Sequence, residues 1–432
     1  MDAPPGSAPM SRLALADLSA AVLDPRLGSM TFLNEITARY PGAISFGPGA
    51  PHDEAFEAVD PARLMAVFER HLAGRGLEPG QIRRRLLQYG PTRGLLGEMI
   101  AASLRTDEAI TVDPDQVVVT VGAQEALVAV LRVLHDPARG DVVAVTDPGY
   151  AGAHGAARIL GLEMVGVPDD GRGPHAAALR TVVTAAERIG RRVRSLVVAP
   201  DFANPTGAEM SLAARLELLA EAERLGVLLL EDTTYRFTAP PGAEIASLKA
   251  LDRTQQVVQI GTFAKIGVPG ARLGYVVADQ STDAGTALAD HVTTVKGVLT
   301  VNTSPIAQAV IGGLLLEHGG SMRRLGDRRA GLYRRNLRVL LEALRRHLGD
   351  PHGEDVSWNE PAGGFFVRMS VNKPADEKLL RRSAEDFGVL WTPMRYFSLG
   401  DGGNRQLRLA CSSLDPEQID EGVSRLAKVV RD

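Results

Sequence analysis

Short apolar runs alternate with longer amphipathic stretches through the middle of the chain, from about residue 115 to 280. The runs are Val117–Val121, Val142–Val145, Leu196–Ala199, Val227–Leu230, Val257–Ile260 and Leu273–Val277. They are rich in Val and Leu and lack polar alternation, the pattern of strands covered on both faces in a largely parallel sheet. Between them, stretches such as Gln124–Leu134 and Leu212–Leu225 have helical spacing and are long enough to serve as crossovers. This alternation predicts a doubly wound, mostly parallel α/β domain.

After about residue 304 the pattern changes. A helical region dense in Leu and Arg is expected to run to about Leu348. Beyond it, Gly363–Met369, Val389–Trp391 and Gln406–Leu409 read as strands with helices between them, which predicts a smaller α+β domain. Pro41–Pro51 is rich in Gly and Pro without a sheet pattern and reads as a loop. The expected organisation is a disordered tail over 1–12 and an N-terminal segment over 13–55 that joins the small domain. A large domain over 56–310 follows, then a linking helix and small C-terminal domain over 311–432.

Composition narrows the function classes. Of 432 residues, 45% are hydrophobic and 23% charged, an ordinary globular balance. A net charge of -4 offers no electrostatic footprint for nucleic acid or an anionic membrane. The clusters Arg83-Arg84-Arg85 and Arg191-Arg192-Val193-Arg194 read as solvated helix faces or turns. Cys411 is the only cysteine, which excludes an intrachain disulfide and a cysteine zinc site. No run approaches the roughly 18 apolar residues of a membrane span. Met1–Met10 lacks the basic start and apolar core of a secretory signal, so a cytoplasmic protein is expected.

In a doubly wound sheet, ligands bind beyond the carboxyl ends of the strands. Past the ends of the successive runs stand Gly122-Ala123-Gln124, then Tyr150, then Asn204-Pro205-Thr206-Gly207. Asp232 and Tyr235 come next, then Thr262 and Lys265, with Arg272 seven residues on. Together these residues specify an anionic, aromatic cofactor with a reactive carbonyl. The N–H groups of Ala123 and Gln124 at a helix start suit a phosphate, and Thr262 and Arg272 add a hydroxyl and a guanidinium fork. Tyr150 can stack on a ring, and Asp232 can keep a ring nitrogen protonated. Asn204 and Tyr235 can bond a phenolate oxygen, and Lys265 supplies a nucleophilic amine.

The segments Gln88-Tyr89-Gly90-Pro91-Thr92-Arg93-Gly94, Asn204-Pro205-Thr206-Gly207, Gly261-Thr262-Phe263-Ala264-Lys265 and Pro269-Gly270-Ala271-Arg272-Leu273-Gly274-Tyr275 stand in this order. The ordered set resembles the fold-type-I, class I/II aminotransferases, and within them the kynurenine/2-aminoadipate aminotransferase branch. The resemblance spans roughly residues 30 to 430. It implies pyridoxal 5′-phosphate as cofactor, an amino acid and a 2-oxo acid as substrates, and a homodimer. It implies that Lys265 forms the Schiff base and then carries the Cα proton, with Asp232 and Tyr235 as the other catalytic groups. Asp232 would pair with the pyridine nitrogen, Asn204 and Tyr235 would hold O3′, and Tyr150 would stack on the ring. Ala123, Gln124, Thr262 and Arg272 would bind the phosphate, and Tyr89 would reach the partner subunit's cofactor. Arg408 would clamp the substrate α-carboxylate with Asn204 nearby, under a covering loop containing Gly47 and Gly49.

Three departures from the family pattern bear on substrate and outcome: Ala264 where serine is usual, Arg93 where the branch has an acidic residue, and a longer Gly74–Leu87 stretch. Transamination is the leading reading. The alternative is β- or γ-elimination, replacement or oxidation by the same apparatus, on an S-adenosylmethionine-like amino acid for example. A transcription regulator on this fold would need a basic helix-turn-helix segment, and no such pattern is present.

Overall fold

The computed structural model describes residues 13–28 and 35–432, and the tail expected over 1–12 lies outside them. In chain order the strands are β1 (Ile44–Ser45), β2 (Val117–Thr120), β3 (Asp141–Asp147), β4 (Glu163–Pro168) and β5 (Arg192–Val198). They continue as β6 (Leu228–Asp232), β7 (Val257–Thr262), β8 (Gly274–Val277), β9 (Val356–Trp358) and β10 (Phe366–Val371). The last are β11 (Val389–Leu390), β12 (Thr392–Pro393) and β13 (Gln406–Ala410).

Seven strands form one sheet in the order β2-β8-β7-β6-β5-β3-β4. Neighbours are parallel except around β8, which runs antiparallel to both β2 and β7. The connection from β7 to β8 contains no crossover helix, only a 3-10 turn over Pro269–Ala271. Parallel return needs a longer connection, so the chain reverses instead. The expected mostly parallel α/β sheet is therefore present, with one strand inverted.

Each interior strand feeds two cores. Val142 and Ala144 pack with Leu179, Val183 and Leu218 on one face, while Val143 and Val145 pack with Ala126, Val130 and Ala157 on the other. Val257 and Val258 divide in the same way, as do Leu229 and Leu230. Side chains alternate between faces along a strand, so a strand covered by helices on both sides is largely apolar on both faces. Full burial of each such side chain stabilises by about 1.5–3 kcal/mol. Edge strand β4 has one covered neighbour and is half exposed. That is why no continuous apolar run announces it.

A second sheet, β12-β13-β10-β9, is antiparallel. β1 pairs in parallel with β11, so the segment read as loop over Pro41–Pro51 contains a short strand. Phe46 extends this tie by donating to Leu390 O at 2.8 Å and accepting from Ala410 N at 2.8 Å. The expected single helical region over 304–348 is two helices, Pro305–Glu317 and Met322–Leu348. Gly319 and Gly320 take φ of 66° and 75° between them, and Ser321 caps the second helix through Arg324 N. A left-handed glycine pair breaks the hydrogen-bond ladder of a helix. Among the described residues, no helix is long and apolar enough to cross a membrane.

Candidate active site

The carboxyl ends of β6 and β7 open onto a cavity of about 490 Å³, roofed by Gly47–Pro51 and closed by Phe397 and Arg408. Polar side chains from six separate chain segments face it.

One corner suits an anion. Gly122 begins the helix Gly122–Leu134 with φ 75°, leaving the N–H groups of Ala123 and Gln124 free of helix partners. A Cβ at Gly122 would come within 2.6 Å of a terminal nitrogen of Arg272. Only a residue without a side chain lets the guanidinium lie against the helix start. Thr262 Oγ1 donates to Leu273 O at 3.1 Å and accepts from Ala264 N at 3.1 Å, which fixes its position beside that corner. Two N–H groups, a hydroxyl and a guanidinium converging at a helix N-terminus match a phosphate.

The next groups match an aromatic ring. Tyr150 donates to Gln124 Oε1 at 3.3 Å, and Gln124 Nε2 donates to Gly152 O at 2.7 Å, so the phenol ring is held at the cavity wall. Burial pushes the Tyr150 phenol up to about 12. Asp232 ends β6, where its Oδ1 accepts from Thr234 N at 2.9 Å and from the Thr234 hydroxyl. Burial raises its carboxyl, opposed by the Thr234 bonds and the Lys265 charge. The Tyr235 phenol, bonded to Asn204, is raised strongly by burial. Its ring packs edge-on against Phe365 and Phe366 at 5.1 and 5.3 Å between centroids.

Lys265 follows β7 on a short loop. Its Nζ donates to Gly49 O at 2.7 Å and lies 5.7 Å from the Phe365 ring and 5.8 Å from that of Tyr235. Burial, reinforced by the charges of Arg272 and Arg408 and opposed by Asp232, brings the amine down to about 8. A lysine so depressed keeps a useful neutral fraction near neutral pH, as a nucleophile or base requires.

Arg408, on β13, is only 4% exposed. It donates to Asn204 Oδ1 and Gly47 O at 2.6 Å each and to Thr392 Oγ1 at 3.3 Å. Its guanidinium carbon lies 4.4 Å from the Phe366 centroid and 4.8 Å from that of Phe397. Its Nε is buried without a hydrogen-bond partner. A cation fixed between two rings is a directed site for a carboxylate. Gly49 lies against the Phe366 ring, where a Cβ would come within 2.7 Å of it. At Gly47 the same addition would meet Ser45 Oγ at 3.3 Å, a milder conflict.

Every residue expected to form the site lines this cavity except Tyr89. Tyr89 stands 83% exposed on its loop. Arg93, on the same loop, turns to an ion pair with Asp290 and is not among the lining residues. Ala264 lines the cavity and contributes its N–H to Thr262. Sequence reasoning missed Phe366 and Phe397 around Arg408, and Thr392 beneath it. Nothing local marks them, since each becomes relevant only once β10, β12 and β13 pair. The role of Thr234 was open to inference from Asp232, because an Asp side chain commonly bonds the N–H two residues on.

Residues 71–426 match the family described as Aminotransferase class I and II. A curated relative, the (S)-3,5-dihydroxyphenylglycine transaminase of Amycolatopsis orientalis, is 44% identical over 97% of this chain and 95% of its own. The 2-aminoadipate transaminase of Thermus thermophilus is 33% identical over 92% of each chain. Among solved structures, the α-aminoadipate aminotransferase of Thermus thermophilus, complexed with N-(5′-phosphopyridoxyl)-L-leucine, superposes with a TM-score of 0.80. The match has 28% identity and covers 97% of this chain and 98% of that one. This family depends on pyridoxal phosphate. The chain belongs to the class I and II aminotransferases and is a transaminase.

Proposed function

We propose that this chain binds pyridoxal 5′-phosphate in the 490 Å³ cavity and moves an amino group between an L-α-amino acid and a 2-oxo acid. The observation that carries the reading is the pairing, in one cavity, of the anion corner at Gly122–Arg272 with the ring-flanked Arg408, and Lys265 between them. When bound, the cofactor supplies a cationic ring that stabilises negative charge at the substrate Cα. Ala123, Gln124, Thr262 and Arg272 would hold its phosphate. Tyr150 would cover one ring face, and Asn204 and Tyr235 would bond the phenolate oxygen. The Asp232 carboxylate would keep the pyridine nitrogen protonated, since an adjacent anion favours the cation. Arg408 would fix the substrate α-carboxylate, so that the Cα–H bond faces Lys265. Lys265 Nζ would take the Cα proton and carry it during the transfer. Gly47–Pro51, roofing the cavity, would keep water from the reacting atoms.

A hydroxylated arylglycine and its 2-oxo acid are the proposed substrate pair, on the strength of the 44% identical relative and its named substrate. The test is single turnover without an acceptor. The holoenzyme is mixed with 3,5-dihydroxyphenylglycine, 2-aminoadipate, kynurenine or phenylalanine, and the cofactor is followed by absorbance. Transamination leaves one equivalent of pyridoxamine phosphate per site, and the arylglycine should give it fastest. Catalytic release of ammonia and a regenerated cofactor, with no acceptor present, would instead mean elimination or oxidation.

A further inference from the structure

The helix Met322–Leu348 carries Arg329, Tyr333 and Asn336 on one face, spaced by four and three residues. Each side chain donates to backbone carbonyls of other segments. Tyr333 Oη donates to the carbonyl of Lys265 itself at 2.9 Å. Arg329 donates to the carbonyl of Ile266 and, at 3.2 Å, to that of Ala55. Asn336 donates to Cys411 O at 3.1 Å and Leu414 O at 2.7 Å. One rigid element therefore grips the lysine loop, the segment leading from Gly49, and the chain just past the strand that carries Arg408.

The grip at Lys265 matters most. That residue lies beyond the end of β7, where the sheet ladder no longer fixes the backbone. A lysine side chain turns about four torsions, so the direction in which it leaves the loop decides where Nζ arrives. Tyr333 is 1% exposed, and its ring packs 4.4 Å from Phe365, which in turn packs against Tyr235. The phenol that holds the lysine peptide is thus itself held by the aromatic cluster under the site.

We propose that Tyr333 is a positioning residue for proton transfer: by holding the Lys265 carbonyl it sets the exit direction of the lysine and places Nζ over the substrate Cα. The inference rests on the proposed role of Lys265 but has a test that does not need the reaction. Tyr333→Phe keeps the ring and its packing and removes only the donor. In the cofactor-free protein, Lys265 is labelled with acetic anhydride as a function of pH and quantified by peptide mass. The labelling midpoint of Tyr333→Phe should move up by about half a unit or more, because a freed side chain gains access to water.

In the loaded enzyme, kcat for the half-reaction should fall roughly 10- to 100-fold, the scale of a misplaced catalytic group, with KM nearly unchanged. The same substitution in a Lys265→Ala background, with the rate restored by added methylamine, should cost nothing further. A double variant that loses the full factor again would overturn the proposal, as would an unmoved labelling midpoint. If the wild type converts no amino donor, the proposed function fails, yet the labelling still decides the role of Tyr333.

Discussion

Arg408→Lys separates recognition of the shared part of every substrate from recognition of the side chain. The guanidinium donates to Asn204 through one terminal nitrogen and to Gly47 and Thr392 through the other, and it lies over the Phe366 and Phe397 rings. Lysine keeps the charge but presents a compact ammonium without a planar fork. At least one charge-assisted hydrogen bond to the α-carboxylate is lost, about 1.5–3 kcal/mol. That corresponds to roughly a 10- to 150-fold fall in kcat/KM. Because every donor carries the same carboxylate, the fall should be uniform across acidic, neutral and aromatic amino acids. Cofactor affinity, measured by dialysis, should change only slightly. Arg93→Ala is the companion variant: its partner Asp290 is largely exposed, and such pairs contribute about 0–1 kcal/mol, so neither rate nor ranking should move much. A selective loss in Arg408→Lys, or a loss of cofactor that parallels the loss of rate, would refute the carboxylate role.

At Gly122, alanine would be strained by the positive φ, about 1 kcal/mol, and would press on Arg272; the cofactor should bind roughly tenfold or more weakly by equilibrium titration. Unchanged affinity would remove the helix start from the anion site. Asp232→Ala should retain cofactor, less tightly, and lose Cα deprotonation by several orders of magnitude, read as deuterium exchange at Cα; near-normal exchange would mean that another group protonates the ring. Borohydride should fix the cofactor to Lys265 in the wild type and not at all in Lys265→Ala, and an adduct mapped to another lysine would sink the assignment. Tyr89, exposed in a single chain, is proposed to complete the partner subunit's site, so sedimentation should report a two-fold dimer, and an active monomer would refute that.

What local chemistry encodes was legible before folding. Val227–Leu230 and Val142–Val145 are apolar throughout because both faces of those strands are covered, and that requirement is written in consecutive residues. Lys265, Asp232 and Arg272 were found by the same logic, since a parallel sheet delivers its strand ends to one edge, whatever the side chains do afterwards. Other features depend on contacts between distant residues, which no period records. The inversion of β8 comes from how short a connection the sheet must close. The break at Gly319–Gly320 is instead a local feature that the helical reading passed over: residues 317–321 hold no apolar side chain, and a Gly-Gly pair marks a turn. Arg408 acquires its direction only when β13 pairs with β10 and brings Phe366 beneath it, 42 residues away in the chain. By sequence Arg93 could face the pocket or be a surface residue, and the ion pair with Asp290, on a helix 197 residues later, turns it away from the cavity. Tyr333 carries no mark of its part in the site at all. Its meaning comes from a carbonyl 68 residues earlier, because backbone polar groups outside the sheet ladder must be satisfied by whatever element packs against them.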